Sequence, residues 1–184
     1  MNTNIVLVIV LLVVIGIVAW ILVQRRRSEE LRKRFGPEYQ RAVDELGDPR
    51  RAEAELAARE KRVEKFDIRP LTAQEHQRFA EAWRTTQSHF VDEPAATIKE
   101  ADQLVTDLMR TRGYPITDFD QRAADISVDH PNVVENYRAA RMMATANERE
   151  AASTEQLRQA MVHYRALFED LLETDTPMEK EVGR

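Results

Sequence analysis

The sequence predicts an all-α protein: an N-terminal transmembrane helix, a charged helical stalk and a small antiparallel helical bundle. Three observations carry this. One unbroken apolar stretch stands near the N-terminus. The remaining prolines and glycines fall between pieces of helix length. Within those pieces apolar residues recur every three or four positions, and none shows the alternation with β-branched enrichment that marks a strand. The chain has 184 residues, five Gly and no Cys. That excludes a collagen-like chain, a disulfide-stapled module and any cysteine-based metal or thiol site.

Ile5 to Val23 is a run of 19 residues with nothing more polar than Gly16. As a helix it would extend about 28 Å, close to the hydrocarbon thickness of a bilayer. Trp20 suits an interfacial position near its end. A cleaved secretory signal would need a basic start, a shorter apolar core and a small-x-small cleavage site. Residues 1–4 hold no basic side chain, and the run ends Trp20-Ile21-Leu22-Val23-Gln24-Arg25. The expectation is therefore an uncleaved anchor over 5–23. Arg25-Arg26-Arg27 follow at once, and the positive-inside rule then places residues 1–4 outside the cell membrane and the rest in the cytoplasm.

Charge is unevenly shared along the chain. Residues 1–43 hold seven Lys/Arg against three Asp/Glu, and residues 44–184 hold 20 against 29. A basic collar on an acidic body lacks the broad basic face that nucleic acid requires. The collar comprises Arg25, Arg26, Arg27, Arg32, Lys33, Arg34 and Arg41. Such a juxtamembrane cluster points to contact with anionic lipid.

The stalk is expected over 24–69. Its first piece, Ser28 to Leu46, spaces Leu31, Phe35, Tyr39, Val43 and Leu46 on one side, and Gly36-Pro37 should break it. Its second, Arg50 to Phe66, has only a narrow stripe of Ala52, Leu56, Val63 and Phe66. That stripe reads as a stalk or a partner-dependent helix and not as a core element.

The bundle is expected over 70–174. Thr72 and Glu75 match a capping box, opening a helix with Phe79, Trp83 and Phe90 along one side. Pro94 suits the first turn of the next helix, which bears Ile98, Ala101, Leu104, Val105, Leu108 and Met109 and stops at Gly113. A short helical turn follows around 118–126. Asp129 is expected to cap a helix with Val133, Val134, Tyr137, Ala140 and Ala144. Ser153 and Gln156 form a second capping box before the strongest apolar face, Leu157 to Leu172. The polar tail from 175 to 184 is expected to fray.

No catalytic, cofactor or metal site follows from the residue pattern. No helix carries His-x-x-x-His or Glu-x-x-His at a spacing that would aim two ligands at one ion. No Gly-x-Ser-x-Gly identifies a nucleophile, and no glycine-rich loop a phosphate site. Glu100, Asp102 and Asp107 read as solvated, and His163, beside Tyr164, as half-buried. Two features compete with bland readings. Phe90, Arg112, Tyr114 and Phe119 form a candidate interaction patch, or else plug the bundle ends. Asp125, Asp129 and His130 form an alternative polar site for a ligand- or metal-responsive bundle or an enzyme, if they line a cavity. The leading reading is an interaction or scaffold protein at the membrane, with a protein partner or self-association, motivated by the thin stripe at 50–66.

The run Leu31-Arg32-Lys33-Arg34-Phe35-Gly36-Pro37-Glu38-Tyr39 resembles a pattern in bacterial single-span, membrane-anchored helical proteins with no established activity. The resemblance extends to Arg112-Gly113-Tyr114-Pro115 and to residues 124–131. It implies a bacterial origin and a membrane anchor, and brings no catalytic residues.

Overall fold

The computed structural model describes the backbone of residues 3–149 and 152–173, and side chains from Leu11 onward within those ranges. The helices are α1 (Thr3–Phe35), α2 (Pro37–Leu46), α3 (Pro49–Val63), α4 (Ala73–His89), α5 (Pro94–Arg112), α6 (Phe119–Asp129), α7 (Val134–Glu148) and α8 (Thr154–Glu173). Among the described residues there is no strand, so the chain is all-α. It divides into two compact units after Ala57, inside α3. The tail at 175–184 lies outside the described residues.

In the first unit, α1 runs unbroken from the apolar stretch through the arginines to Phe35. Gly36 ends it at φ 47°, a conformation that suits glycine, and Pro37 opens α2. Gly47 closes α2 in the left-handed region, donating its N–H to the Val43 carbonyl. Leu31, Phe35, Tyr39 and Ala42 are buried. Glu53 on α3 accepts the hydroxyls of Ser28 at 2.6 Å and Tyr39 at 2.9 Å, tying α1, α2 and α3 together. Among the described residues no helix is long and apolar enough to cross a membrane. The described side chains begin at Leu11, so residues 5–10 of the expected span lie outside them.

The second unit is a helical bundle. α8 packs along α7 and α5 and touches α4, while α4 and α5 pack together as a hairpin. Amphipathic spacing explains the arrangement: Leu157, Ala160, Met161, Tyr164, Leu167, Phe168 and Leu171 put one continuous face of α8 inside. Trp83 stacks on Phe168 with ring centroids 4.6 Å apart. Both expected capping boxes form. Thr72 and Glu75 exchange bonds at the start of α4, and the Ser153 hydroxyl accepts from the Gln156 N–H at 3.3 Å.

Two expectations need correction. The stripe of α3 is not left uncovered: Ala52, Leu56 and Val63 are all buried. The arginines between them bind inward, Arg59 to the Ser127 hydroxyl and Arg62 to Asp125. Long basic side chains cover apolar surface with their stems, which a count of apolar residues misses. Nor does Asp129 cap α7. Helix α6 continues through Asp129, with the His130 N–H donating to the Ile126 carbonyl, and α7 starts without a side-chain cap at Val133.

The connection before α4 is held to the bundle by backbone. The Arg69 N–H donates to the Arg112 carbonyl at 2.9 Å. Gly113, at φ 99°, ends α5 in the left-handed region. A Cβ at Gly113 would overlap the Asp67 carbonyl, so glycine is required there twice over.

Candidate functional site

The alternative polar site is built by the end of α6. Asp125 is 2% exposed and accepts from Arg62 Nε at 2.7 Å and from Gln121 Nε2 at 2.8 Å. Asp129 accepts the Tyr114 hydroxyl at 2.9 Å. His130 is buried, its Nδ1 bonded to Asp170 on α8 and its Nε2 without a hydrogen-bond partner. The three side chains, close in sequence, are thus each engaged with different partners. Among the described residues no group of three or more His, Asp or Glu side chains is placed to hold a metal ion. The His130–Asp170 pair has the composition of a base and its orienting carboxylate. A base must reach the proton it takes, and the His130 side chain is only 1% exposed.

The sequence pattern misses a second polar cluster. Asp102, read as solvated, is half-buried: its Oδ1 accepts the Tyr164 hydroxyl at 2.9 Å, and Arg141 lies 3.5 Å from its Oδ2. Arg122 donates to the Thr106 hydroxyl at 2.9 Å on the same side of α5. Burial pushes the Tyr137 hydroxyl up to about 12. Burial, with the Asp102 charge added to it, raises Tyr164 as well. Both phenols stay protonated at neutral pH, so Tyr164 serves as a hydrogen-bond donor that cements α8 to α5. No local spacing points to it, because Asp102 meets Tyr164 on the inward face of α8. Its partner is 62 residues away.

Phe90, Arg112, Tyr114 and Phe119 do not make an exposed patch. Arg112 and Tyr114 are buried, and Phe90 and Phe119 pack against the core. Arg112 Nη1 donates to the Leu171 carbonyl at the end of α8 at 2.7 Å, a favourable place for a cation. Phe119 tilts against Tyr137 with centroids 4.8 Å apart. Aromatic side chains at these helix ends close the core.

The collar is the remaining feature. Arg25, Arg26, Arg27, Arg32, Lys33 and Arg34 are exposed on α1. Arg32 lies over the Tyr39 ring, 5.0 Å from its centroid. Arg41 is half-buried on α2 and pairs with Glu45 at 2.7 Å. Just N-terminal to this collar, every large apolar side chain from Leu11 to Val23 is 40–64% exposed.

No family model, curated protein or solved structure matches this chain. A reading of its function therefore rests on its own residues, and the exposed apolar band of Leu11–Val23, followed by the exposed basic residues of α1, is its most prominent surface feature.

Proposed function

We propose that the chain is a single-span membrane protein that presents an acidic helical bundle at the cytoplasmic face and acts by binding there. The carrying observation is the continuity of α1. One helix holds a band of exposed apolar side chains from Leu11 and, directly after it, six exposed basic residues. A contiguous apolar surface of this kind is costly in water, and the 19-residue run that begins at Ile5 matches bilayer thickness in length. The arginines orient the helix and draw anionic headgroups by about 1 kcal/mol each near the surface. Because the stripe of α3 is covered by the chain itself, any partner is met by the exterior of the bundle.

The absence of cysteine makes the test direct. Asn2→Cys and Thr85→Cys variants are treated in intact cells with a membrane-impermeant maleimide. The expected result is labelling of Asn2→Cys in intact cells and of Thr85→Cys only after permeabilisation. Labelling of Thr85→Cys in intact cells, or recovery of the full chain in the soluble fraction, would overturn the reading.

A further inference from the structure

A groove of about 430 Å³ lies on the outer side of the α4–α5 hairpin. Its size is within the range of small-molecule sites. Its apolar part is made by Phe79, Ala82 and Leu104, and Arg78 and Arg110 both line it. This is a positive site on a body that is acidic from residue 44 onward.

The two guanidinium groups differ in what they are doing. Arg110 is held by Asp107, the groove's one carboxylate, which also accepts from Gln103. Arg78 has no carboxylate partner among the described residues. It rests over the Phe79 ring, 4.8 Å from the centroid. The neighbouring acids are occupied elsewhere: Glu75 takes both guanidinium nitrogens of Arg69, and Glu81 takes Gln77. The Thr111 hydroxyl is likewise turned to the Asp107 backbone carbonyl. The groove therefore offers one uncompensated planar cation, backed by the buried Phe79 ring, beside an aliphatic floor of Ala82 and Leu104.

We infer that this groove binds a small organic anion, its carboxylate or phosphate on Arg78 and its apolar body over Ala82 and Leu104. A planar, charge-assisted contact from arginine fits either headgroup. A purely inorganic anion would leave the floor wet, and a cation would meet Arg78.

The test uses the full chain in phosphatidylcholine nanodiscs, with empty nanodiscs as control, and ¹⁹F NMR titration of 4-(trifluoromethyl)benzoate. The neutral probe 4-(trifluoromethyl)benzyl alcohol and the competitor phenyl phosphate complete the set. Saturable benzoate binding is expected, weaker by about tenfold for the alcohol and for Arg78→Gln, as the loss of one charge-assisted contact implies. Ala82→Trp should fill the groove and abolish binding. Whether phenyl phosphate displaces benzoate at lower or higher concentration than unlabelled benzoate assigns the site to phosphate monoesters or to carboxylates. The inference is overturned if benzoate and the alcohol bind alike, if Arg78→Gln leaves the affinity unchanged, or if no saturable binding occurs. Arg78 is exposed, so its substitution leaves the fold intact and the null result is interpretable.

Discussion

Helices α1 and α8 are both rich in large apolar residues, and they treat them in opposite ways. In α8 seven apolar side chains fall on one face and are buried, while Glu155, Arg158 and Arg165 face water. Over Leu11–Val23 of α1 the large apolar residues go all the way round and all remain exposed, and only Leu31 and Phe35 near its C-terminal end are buried. Periodicity makes the difference. A helix with one apolar stripe can hide it against neighbours, whereas a helix apolar on every side finds no arrangement in a small protein that covers it. Burial in this chain is decided by the spacing of apolar residues more than by their number.

Each helix can be disrupted without the other. Phe168→Ala removes the ring beneath Trp83 from a fully packed site and should cost about 3–5 kcal/mol of bundle stability, read by denaturant unfolding with near-ultraviolet circular dichroism. Membrane association should be unchanged. Val14→Arg should do the reverse. It is expected to disfavour insertion by about 2.5–3.5 kcal/mol, moving protein from the membrane pellet, while the unfolding midpoint of the bundle holds. If either variant moves both readouts, the two regions are not energetically separate.

Two smaller effects sharpen the picture within the bundle. Gly113→Ala forces a side chain into a positive-φ position and onto the Asp67 carbonyl, and is expected to cost roughly 1–3 kcal/mol. Loss of amide protection at Arg69 before the rest of the bundle would locate the damage, and unchanged protection there would refute it. The smallest effect concerns Glu75. The Arg69 guanidinium, and then the Thr72 backbone, hold its carboxyl down from the ordinary 4.5 to about 2. A lowered carboxyl pKa means the folded state prefers the charged form. Its contribution is therefore complete above about pH 4.5 and fades as pH falls towards 2. In Glu75→Gln, stability should show a shallower fall across that interval, measured by thermal unfolding at stepped pH.

Helix boundaries were the legible part of this chain, because their signals are local. Gly36-Pro37, Thr72 with Glu75, Gly113, and Ser153 with Gln156 each act within a few residues and each stands where the pattern puts it. The polar pairs were not legible. His130 meets Asp170 across 40 residues, and Asp102 meets Tyr164 across 62. Nothing in the neighbourhood of either residue announces a distant partner. The covering of α3 belongs to the same class, since Arg59 and Arg62 look like solvated charges until their acceptors on α6 are known. The collar was legible as charge, though Arg41 proves to be engaged on α2 rather than displayed beside the others.

The backbone fastening of the 67–69 segment has a mechanical consequence. Tension travelling along the chain from α3 meets the Arg69–Arg112 hydrogen bond and the snug seat of Asp67 against Gly113 before it reaches the first turn of α4. The load enters at the end of α5, where Arg112 also grips the last turn of α8. A tug is thus spread into α5 and α8, and the first turn of α4 after Thr72 is shielded from being peeled away.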